Sequence, residues 1–318
     1  MHEMNASGLV KRQTLTDTEL AAIEQLIATC NAYEGLRMRL SMEWLRRRAG
    51  DETNDFLYYE HGLLVGYLNV DSHGVLEKEL TGMVHPDHRR KGIFRTLLAA
   101  AKEECDRRGV QKLILVCEQV SRSGLAFVEA IGAQHDFSEY EMVLRTFRER
   151  PIAQPHLHIR IAGPEDLEAL ASIHATSFGD DIERARSMAE KGLRRSESTF
   201  YLGLLGEEPV GCLRLDNLER EYGIYGFAVR PEYQGRGYGR QMLQEIIRML
   251  RAGQPVGADL SRPSPIHRPA PANPPARTES QKSIMLDVDT DNTNAIGLYR
   301  SCGFEIRTTY GYYGLSIH

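Results

Sequence analysis

The chain carries one local device twice. Residues 234–239 read Gln-Gly-Arg-Gly-Tyr-Gly, directly after the apolar run 224–229 and directly before an amphipathic stretch at 240–250. Residues 89–94 read Arg-Arg-Lys-Gly-Ile-Phe, after the run 80–84 and before the helical stretch 95–108. A glycine-bearing turn between a strand and a helix leaves the helix's first N–H groups unpaired at the positive end of its dipole. That arrangement seats a pyrophosphate. The ligand is thereby narrowed to a compound carrying a diphosphate, and each half of the chain is constrained to a strand–turn–helix unit.

The surroundings of the two turns follow the same order. A helical stretch comes early in each half, at 17–30 behind the cap-like Thr16 and at 164–176. Short strands follow as hairpin arms, 56–59 and 63–70 around a His-Gly turn, then 199–205 and 209–215 around Gly206. A third strand ends in a Val-x-Pro corner in both halves, at Val84 to Pro86 and at Val229 to Pro231. After the glycine turn and its helix come another strand, at 112–117 and 284–288, a short helix closing on Gly132 or Gly303, and a final strand. Parallel order at a spacing of roughly 150 residues implies a duplication. The expected fold class is mixed α/β, with two tandem domains at 1–150 and 156–318 joined by the proline-bearing segment 148–155. Between about 253 and 282 the second half carries seven prolines among Ser, Arg and Ala. Proline at that density blocks helix and ladder hydrogen bonds alike, so an exposed, disordered loop is expected there.

A length of 318 residues suits two domains of ordinary size. The net charge of −5 argues against a general nucleic-acid or anionic-membrane partner and suits a cationic small substrate. No apolar stretch approaches the ~20 residues that span a bilayer, and the start lacks the basic-then-apolar layout of a signal peptide. The five cysteines are scattered without metal spacing, which reads as reduced, buried thiols in a cytoplasmic protein. No metal site is expected: His85-x-x-His88 stands at the corner before a turn with no further ligands beside it. Oligomeric state does not follow from the sequence.

Gln234-x-x-Gly237-x-Gly239 resembles the acetyl-CoA signature of the GCN5-related N-acetyltransferases (GNAT). The strand ending at Phe227 to Pro231 before it, and Asn294, Tyr299, Gly303 and Phe304 after the next strand, match in order. The resemblance covers nearly all of the second half apart from the proline-rich insert, and the first half more loosely. It implies two domains, each with a mixed, mostly antiparallel central sheet flanked by helices, and acetyl-CoA as co-substrate. It further implies that backbone N–H groups of Arg236, Gly237, Tyr238 and Gly239 hold the diphosphate with Arg240 as charge partner, the glycines at Gly235, Gly237 and Gly239 letting the phosphate oxygens approach. Phe227, Ala228 and Val229 would pair with the pantetheine amides, next to a bulge that splays the neighbouring strands and aims an N–H near Phe227 or Ala228 at the oxyanion.

Tyr299 lies where the family places its general acid, and a phenol there suits a departing thiolate whose acid has a pKa of about 8.5. Asn294 is expected to cap the last helix and to contact CoA. The base is open. An alkylamine with a pKa of about 10.4 must lose a proton, and the family often uses a carboxylate on the strand before the turn. Gly223 stands roughly there in this chain, leaving Glu221, Tyr225, Asp287, Asp289 or a water relay. The tail Tyr310-Gly-Tyr-Tyr313 could line an amine pocket by cation–π contact or be plain strand aromatics.

In the first half a second CoA site is expected from Met83, Val84, Arg89, Arg90, Lys91, Gly92, Ile93 and Phe94. Phe94 replaces the motif's last Gly or Ala, Val128 stands at the tyrosine position and Ser123 at that of Asn294. The acid is therefore missing, and this half reads as catalytically degenerate. The expected function is acetyl transfer to a primary amine of a small molecule, by direct attack in a ternary complex. The tandem layout resembles enzymes of mycothiol synthesis and of self-resistance to amino-group antibiotics. A protein N-terminal acetyltransferase and a non-catalytic acyl-CoA sensor are the alternatives.

Overall fold

The computed structural model describes residues 7–48, 50–72, 76–151, 157–253 and 282–317. The proline-rich segment expected to be a loop lies almost wholly outside them. In chain order the first elements are β1 (Gly8–Arg12), α1 (Asp17–Glu34), α2 (Met42–Arg47), β2 (Asp55–Glu60), β3 (Leu63–Ser72), β4 (Glu77–Val84), α3 (Ile93–Arg107), β5 (Lys112–Glu118), α4 (Arg122–Ala130) and β6 (Gln134–Leu144). The second series runs β7 (His158–Ile161), α5 (Leu167–Phe178), α6 (Ile182–Leu193), β8 (Ser198–Leu205), β9 (Glu208–Asn217), β10 (Glu221–Val229), α7 (Tyr238–Arg251), β11 (Ser283–Asp289), α8 (Thr293–Cys302) and β12 (Phe304–Ser316).

Two compact units form, one from Met1–Glu139 with Thr308–His318, the other from Tyr140–Arg307. Unit 1 orders its strands β1-β2-β3-β4-β5-β12, all antiparallel except the parallel pair β4–β5. Unit 2 repeats the scheme as β7-β8-β9-β10-β11, parallel only at β10–β11. The fold is thus mixed α/β. The strand that completes the first sheet is the last of the chain, Tyr310 to Ser316 pairing with Glu118 to Lys112. The second unit in turn buries Met142, from the end of β6, among its own core residues.

Helical periodicity explains how each core is filled. On α7, Tyr238, Met242, Leu243, Ile246, Ile247 and Leu250 recur at three- and four-residue steps, and all are buried against the sheet. On α3, Ile93, Leu97, Leu98, Ala101 and Cys105 do the same in unit 1. The other face of each sheet carries α1 in unit 1 and α5 with α6 in unit 2, through Leu20, Ile23 and Leu26, and through Leu170, Ile173 and Ala189. No described helix is long and apolar enough to cross a membrane.

Candidate active site

The two glycine turns have the same backbone. In unit 2 a 3-10 turn at Pro231–Tyr233 leads through Gly235, at φ +75°, to Gly237 at φ +87° and ψ 1°, and α7 starts at the next residue. In unit 1 the 3-10 turn is Pro86–His88, the matching residues are Arg90 at φ +66° and Gly92 at φ +83° and ψ 0°, and α3 follows. Arg90 holds a left-handed conformation that costs a side chain about 1–2 kcal/mol, and such outliers persist where the surroundings over-determine them. Neither α3 nor α7 has a side-chain cap; nor does α5, which continues directly from a 3-10 turn at Pro164–Asp166, whereas α1, α2, α4, α6 and α8 are capped by Thr16, Ser41, Ser121, Asp181 and Asn292. The first-turn N–H groups of α3 and α7 are therefore left for an anion.

The first residue of each motif fastens the turn to the strand before it. Gln234 Nε2 donates to the Val229 carbonyl at 2.9 Å, and Arg89 Nε donates to the Val84 carbonyl at 3.1 Å. Arg236 lies over the Tyr233 ring at 5.4 Å, Tyr238 is buried in the core, and Arg240 is half-buried on the first turn of α7. His88 Nδ1 is hydrogen-bonded to Glu60 at 2.7 Å and His85 Nδ1 accepts from the Asp87 N–H, so both imidazoles serve the corner itself.

A slot opens beside each turn because the parallel pairing stops early. β4 and β5 pair from Glu77 to Leu80, β10 and β11 from Glu221 to Ile224, and all four strands continue beyond those points. In unit 2 the register against β9 shifts between Tyr225 and Ala228, a bulge in which Gly226 takes φ +52°. β3 and β4 pair without a shift from Gly66–Val84 to Ser72–Lys78, so β4 has no such bulge. Tyr299 on α8 packs between Phe227 at 6.3 Å and Phe304 at 6.0 Å and is 6% exposed. Burial alone raises its phenol well above the ordinary value, so the group stays protonated and can donate a proton or hydrogen bond.

Two of the four residues named as base candidates, Glu221 and Tyr225, are engaged elsewhere. Glu221, at the start of β10, is hydrogen-bonded through both carboxylate oxygens to Arg307, and accepts from Ser283 Oγ at 2.9 Å. Arg307 also binds the buried Glu141, and these carboxylates hold its guanidinium above its usual range. The Tyr225 hydroxyl points to Met285 Sδ at 3.6 Å, and the Arg214 guanidinium covers its ring at 4.9 Å. That ring explains the glycine where a carboxylate was sought: a Cβ at Gly223 would come within 2.4 Å of Tyr225 Cε2. Asp289 accepts from the Asp291 N–H at 2.7 Å. One titratable group at the bulge escapes sequence reading altogether. His174 of α5 lies against Gly226, brought there from 52 residues upstream with no motif around it.

One local expectation is corrected, and one open alternative gains a place in the fold. Asn292, not Asn294, caps α8, its Oδ1 accepting from the Ala295 N–H at 3.0 Å, which leaves Asn294 exposed within the first turn. The tyrosine tail belongs to unit 1: Tyr310 donates to the Arg37 carbonyl at 2.5 Å and carries the Arg39 guanidinium 5.0 Å above its ring, while Tyr312 stacks on Phe137.

Unit 1 contains a cavity of approximately 500 Å³ in its own slot, bounded by the ends of β4 and β5, the turn at Arg89 to Arg95, α4 and Tyr310. Val128 lines it at the tyrosine position. Glu34 reaches across its mouth, pairing with Arg89 at 3.2 Å and accepting from Ser123 Oγ at 2.9 Å. The five cysteines are free and buried. Burial pushes the Cys117 and Cys212 thiols up to about 12, so neither is a thiolate nucleophile at neutral pH.

Comparison with known proteins agrees with this geometry. A profile described as "Acetyltransferase (GNAT) family" matches residues 20–132, and one described as "Acetyltransferase (GNAT) domain" matches residues 196–306. A mycothiol acetyltransferase from Kineococcus radiotolerans is 28% identical over 91% of this chain and 90% of its own length. Among solved structures, a GCN5-related N-acetyltransferase from Sphaerobacter thermophilus superposes with a TM-score of 0.74 at 20% identity, covering 99% of this chain and 97% of that one. A tandem GNAT protein from the clavulanic acid biosynthesis pathway gives 0.69 at 14% identity, with 98% of each chain covered. The chain belongs to the GNAT acetyltransferases and carries two such domains in tandem. It is accordingly an acyltransferase, with acetyl-CoA as its co-substrate.

Proposed function

We propose that unit 2 transfers the acetyl group of acetyl-CoA to a primary amine of a small molecule by direct attack, in the cytoplasm. One observation carries this reading. The uncapped turn, the splayed strand pair with its bulge, and a buried, protonated tyrosine all occur together in unit 2. Backbone N–H groups from Gly235 to Gly239 hold the diphosphate, and β10 from Phe227 to Val229 pairs with the pantetheine amides. The amine nitrogen bonds to the thioester carbon, an N–H near Phe227 or Ala228 stabilises the oxyanion, and Tyr299 protonates the thiolate as the C–S bond breaks. Glu221 serves this site through Arg307, as an anchor for the start of β10, and Tyr225 shapes its floor. The exposure of Asn294 on the first turn of α8 supports a contact with the coenzyme. Protonated, buried cysteines favour direct attack over an acyl-cysteine relay and suit a reducing compartment.

The likeness along the whole chain to a mycothiol acetyltransferase supports a metabolite acceptor, with amino-group antibiotics in a self-resistance role as a second class. The test is free-thiol release from acetyl-CoA with a panel of mycothiol-type amines, polyamines, aminoglycosides and peptides. Release with the metabolites or antibiotics is expected. Release with peptides alone would assign a protein N-terminal acetyltransferase, and silence with every amine would assign a sensor. The cavity of unit 1 beside a turn of the same backbone supports a second, non-catalytic CoA site there. Two coenzymes per chain in a calorimetric titration are the expected result.

A further inference from the structure

The bulge of β10 has a partner that neither the family motif nor the anion seat accounts for. A Cβ on Gly226 would lie 2.5 Å from His174 Cε1 and 2.8 Å from Nε2, so the Cε1–Nε2 edge of the imidazole is aimed at the bulge. Nε2 is out of contact with solvent and has no hydrogen-bond partner among the described residues. A buried polar atom left without a partner costs about 1–3 kcal/mol, and one that persists in a folded protein calls for an explanation.

The ring is also held in place from both ends of its helix. Ile173 and Leu170 pack into the cluster that contains Ala228 and Cys212. The Arg230 guanidinium donates to Ser172 Oγ at 3.1 Å, and Ser177 Oγ donates to the Val229 carbonyl at 3.3 Å. The helix that carries the imidazole is thereby tied to the end of the strand that carries the bulge.

We infer that His174 is the general base of the acetyl transfer, its Nε2 accepting the proton that the substrate amine loses at the Gly226 bulge. The inference rests on the acetyltransferase reading of unit 2. As the amine lone pair forms the C–N bond, the thioester carbonyl pair moves onto oxygen and the nitrogen becomes acidic. One N–H proton passes to Nε2. The oxyanion then collapses, the C–S pair leaves with sulfur, and Tyr299 supplies the thiolate proton. Once the products, the amide and free CoA, leave and water enters the vacated slot, the proton on His174 is lost to it and Tyr299 regains one. The groups bearing on the imidazole support a neutral ring at rest. Burial depresses its pKa below the ordinary histidine value, Arg214 of β9 adds to this, and Asp180 just after α5 opposes it. Below that pKa the ring is protonated and the base is lost; above it the base is available.

The test compares the full-length protein with His174→Gln. The variant should keep its affinity for acetyl-CoA while kcat falls about 10²–10⁴-fold at pH 7. The acid limb of the wild-type kcat/KM profile, below pH of about 6.5, should vanish in it. Wild-type rates and an unchanged acid limb in the variant would overturn the proposal. A second readout needs no variant: the His174 imidazole, followed by NMR in the wild type, must titrate at the pH of the acid limb, and a mismatch overturns it equally. An active wild type with an indifferent His174 removes only the base. A wild type that acetylates no amine removes the acetyltransferase reading and this inference together.

Discussion

The two slots differ less in backbone than in where they put their bulk. From Leu80 to Val84 is four steps along β4, and from Ile224 to Val229 five along β10, the extra residue being the bulge. With that offset Gly82 corresponds to Phe227, and Phe94 on α3 to Gly239 on α7. The ring has crossed from the helix to the strand. A Cβ on Gly82 would lie 2.9 Å from Phe94 Cε2, while one on Gly239 would lie 3.7 Å from Phe227 Cζ. Phe94 at the motif's last position is therefore no mere loss of the signature, because the facing glycine makes room for it. Volume is kept while the ring that faces Tyr299 exists only in unit 2. A duplicated scaffold thus keeps the same turn backbone in both copies while only one sets an aromatic ring against a tyrosine.

The comparison breaks most easily at the acid. Tyr299→Phe should lower kcat by about 10²–10⁴-fold with acetyl-CoA affinity unchanged, measured by thiol release and calorimetry. Equal loss of coenzyme binding would make the tyrosine a packing residue, as Val128 is in unit 1. The exchanged pair gives the next largest effect. Phe227→Gly alone should destabilise by about 3–5 kcal/mol and Gly239→Phe alone by about 1–3 kcal/mol in denaturant unfolding. The double exchange, which copies unit 1, should recover at least about 1 kcal/mol relative to their sum; strict additivity would deny the pairing.

Gly226→Ala tests the bulge. A side chain at φ +52° that also meets the His174 ring should cost about 1–3 kcal/mol, whereas Thr81→Ala in the unshifted strand β4 should stay within about 1 kcal/mol. The smallest effect is at the turn of unit 1. Arg90→Gly removes the left-handed strain but adds chain entropy, for a net gain of about 0.5 kcal/mol in thermal unfolding. A loss of stability there would show that the Arg90 side chain contributes more than its backbone strain removes.

Legibility followed the range of the interactions. The strand–turn–helix order and the turn itself rest on contiguous residues and on glycines whose positive φ is a local requirement, so both could be read along the chain. The capping residue of α8 could not be chosen within Asp291-Asn292-Thr293-Asn294, where several neighbours have cap-competent side chains. Tyr225-Gly226-Phe227 has the composition of any strand, and only pairing with β9 shows that it bulges. Gly223 looked like a missing base until the Tyr225 ring was seen to fill its place. His174 and the Phe94–Gly82 compensation depend on contacts across the fold, and no spacing rule signals either.

The final strand has a further consequence for how the molecule is made. Because Tyr310 to Ser316 closes the first sheet beside β5, that sheet keeps an open edge until this strand has left the ribosome. The second unit lies almost entirely upstream of that strand and can collapse first, so the amino-terminal half would mature last. Removing the strand Tyr310 to Ser316 should accordingly injure the unit built from residues 1–139 rather than the one that precedes the cut.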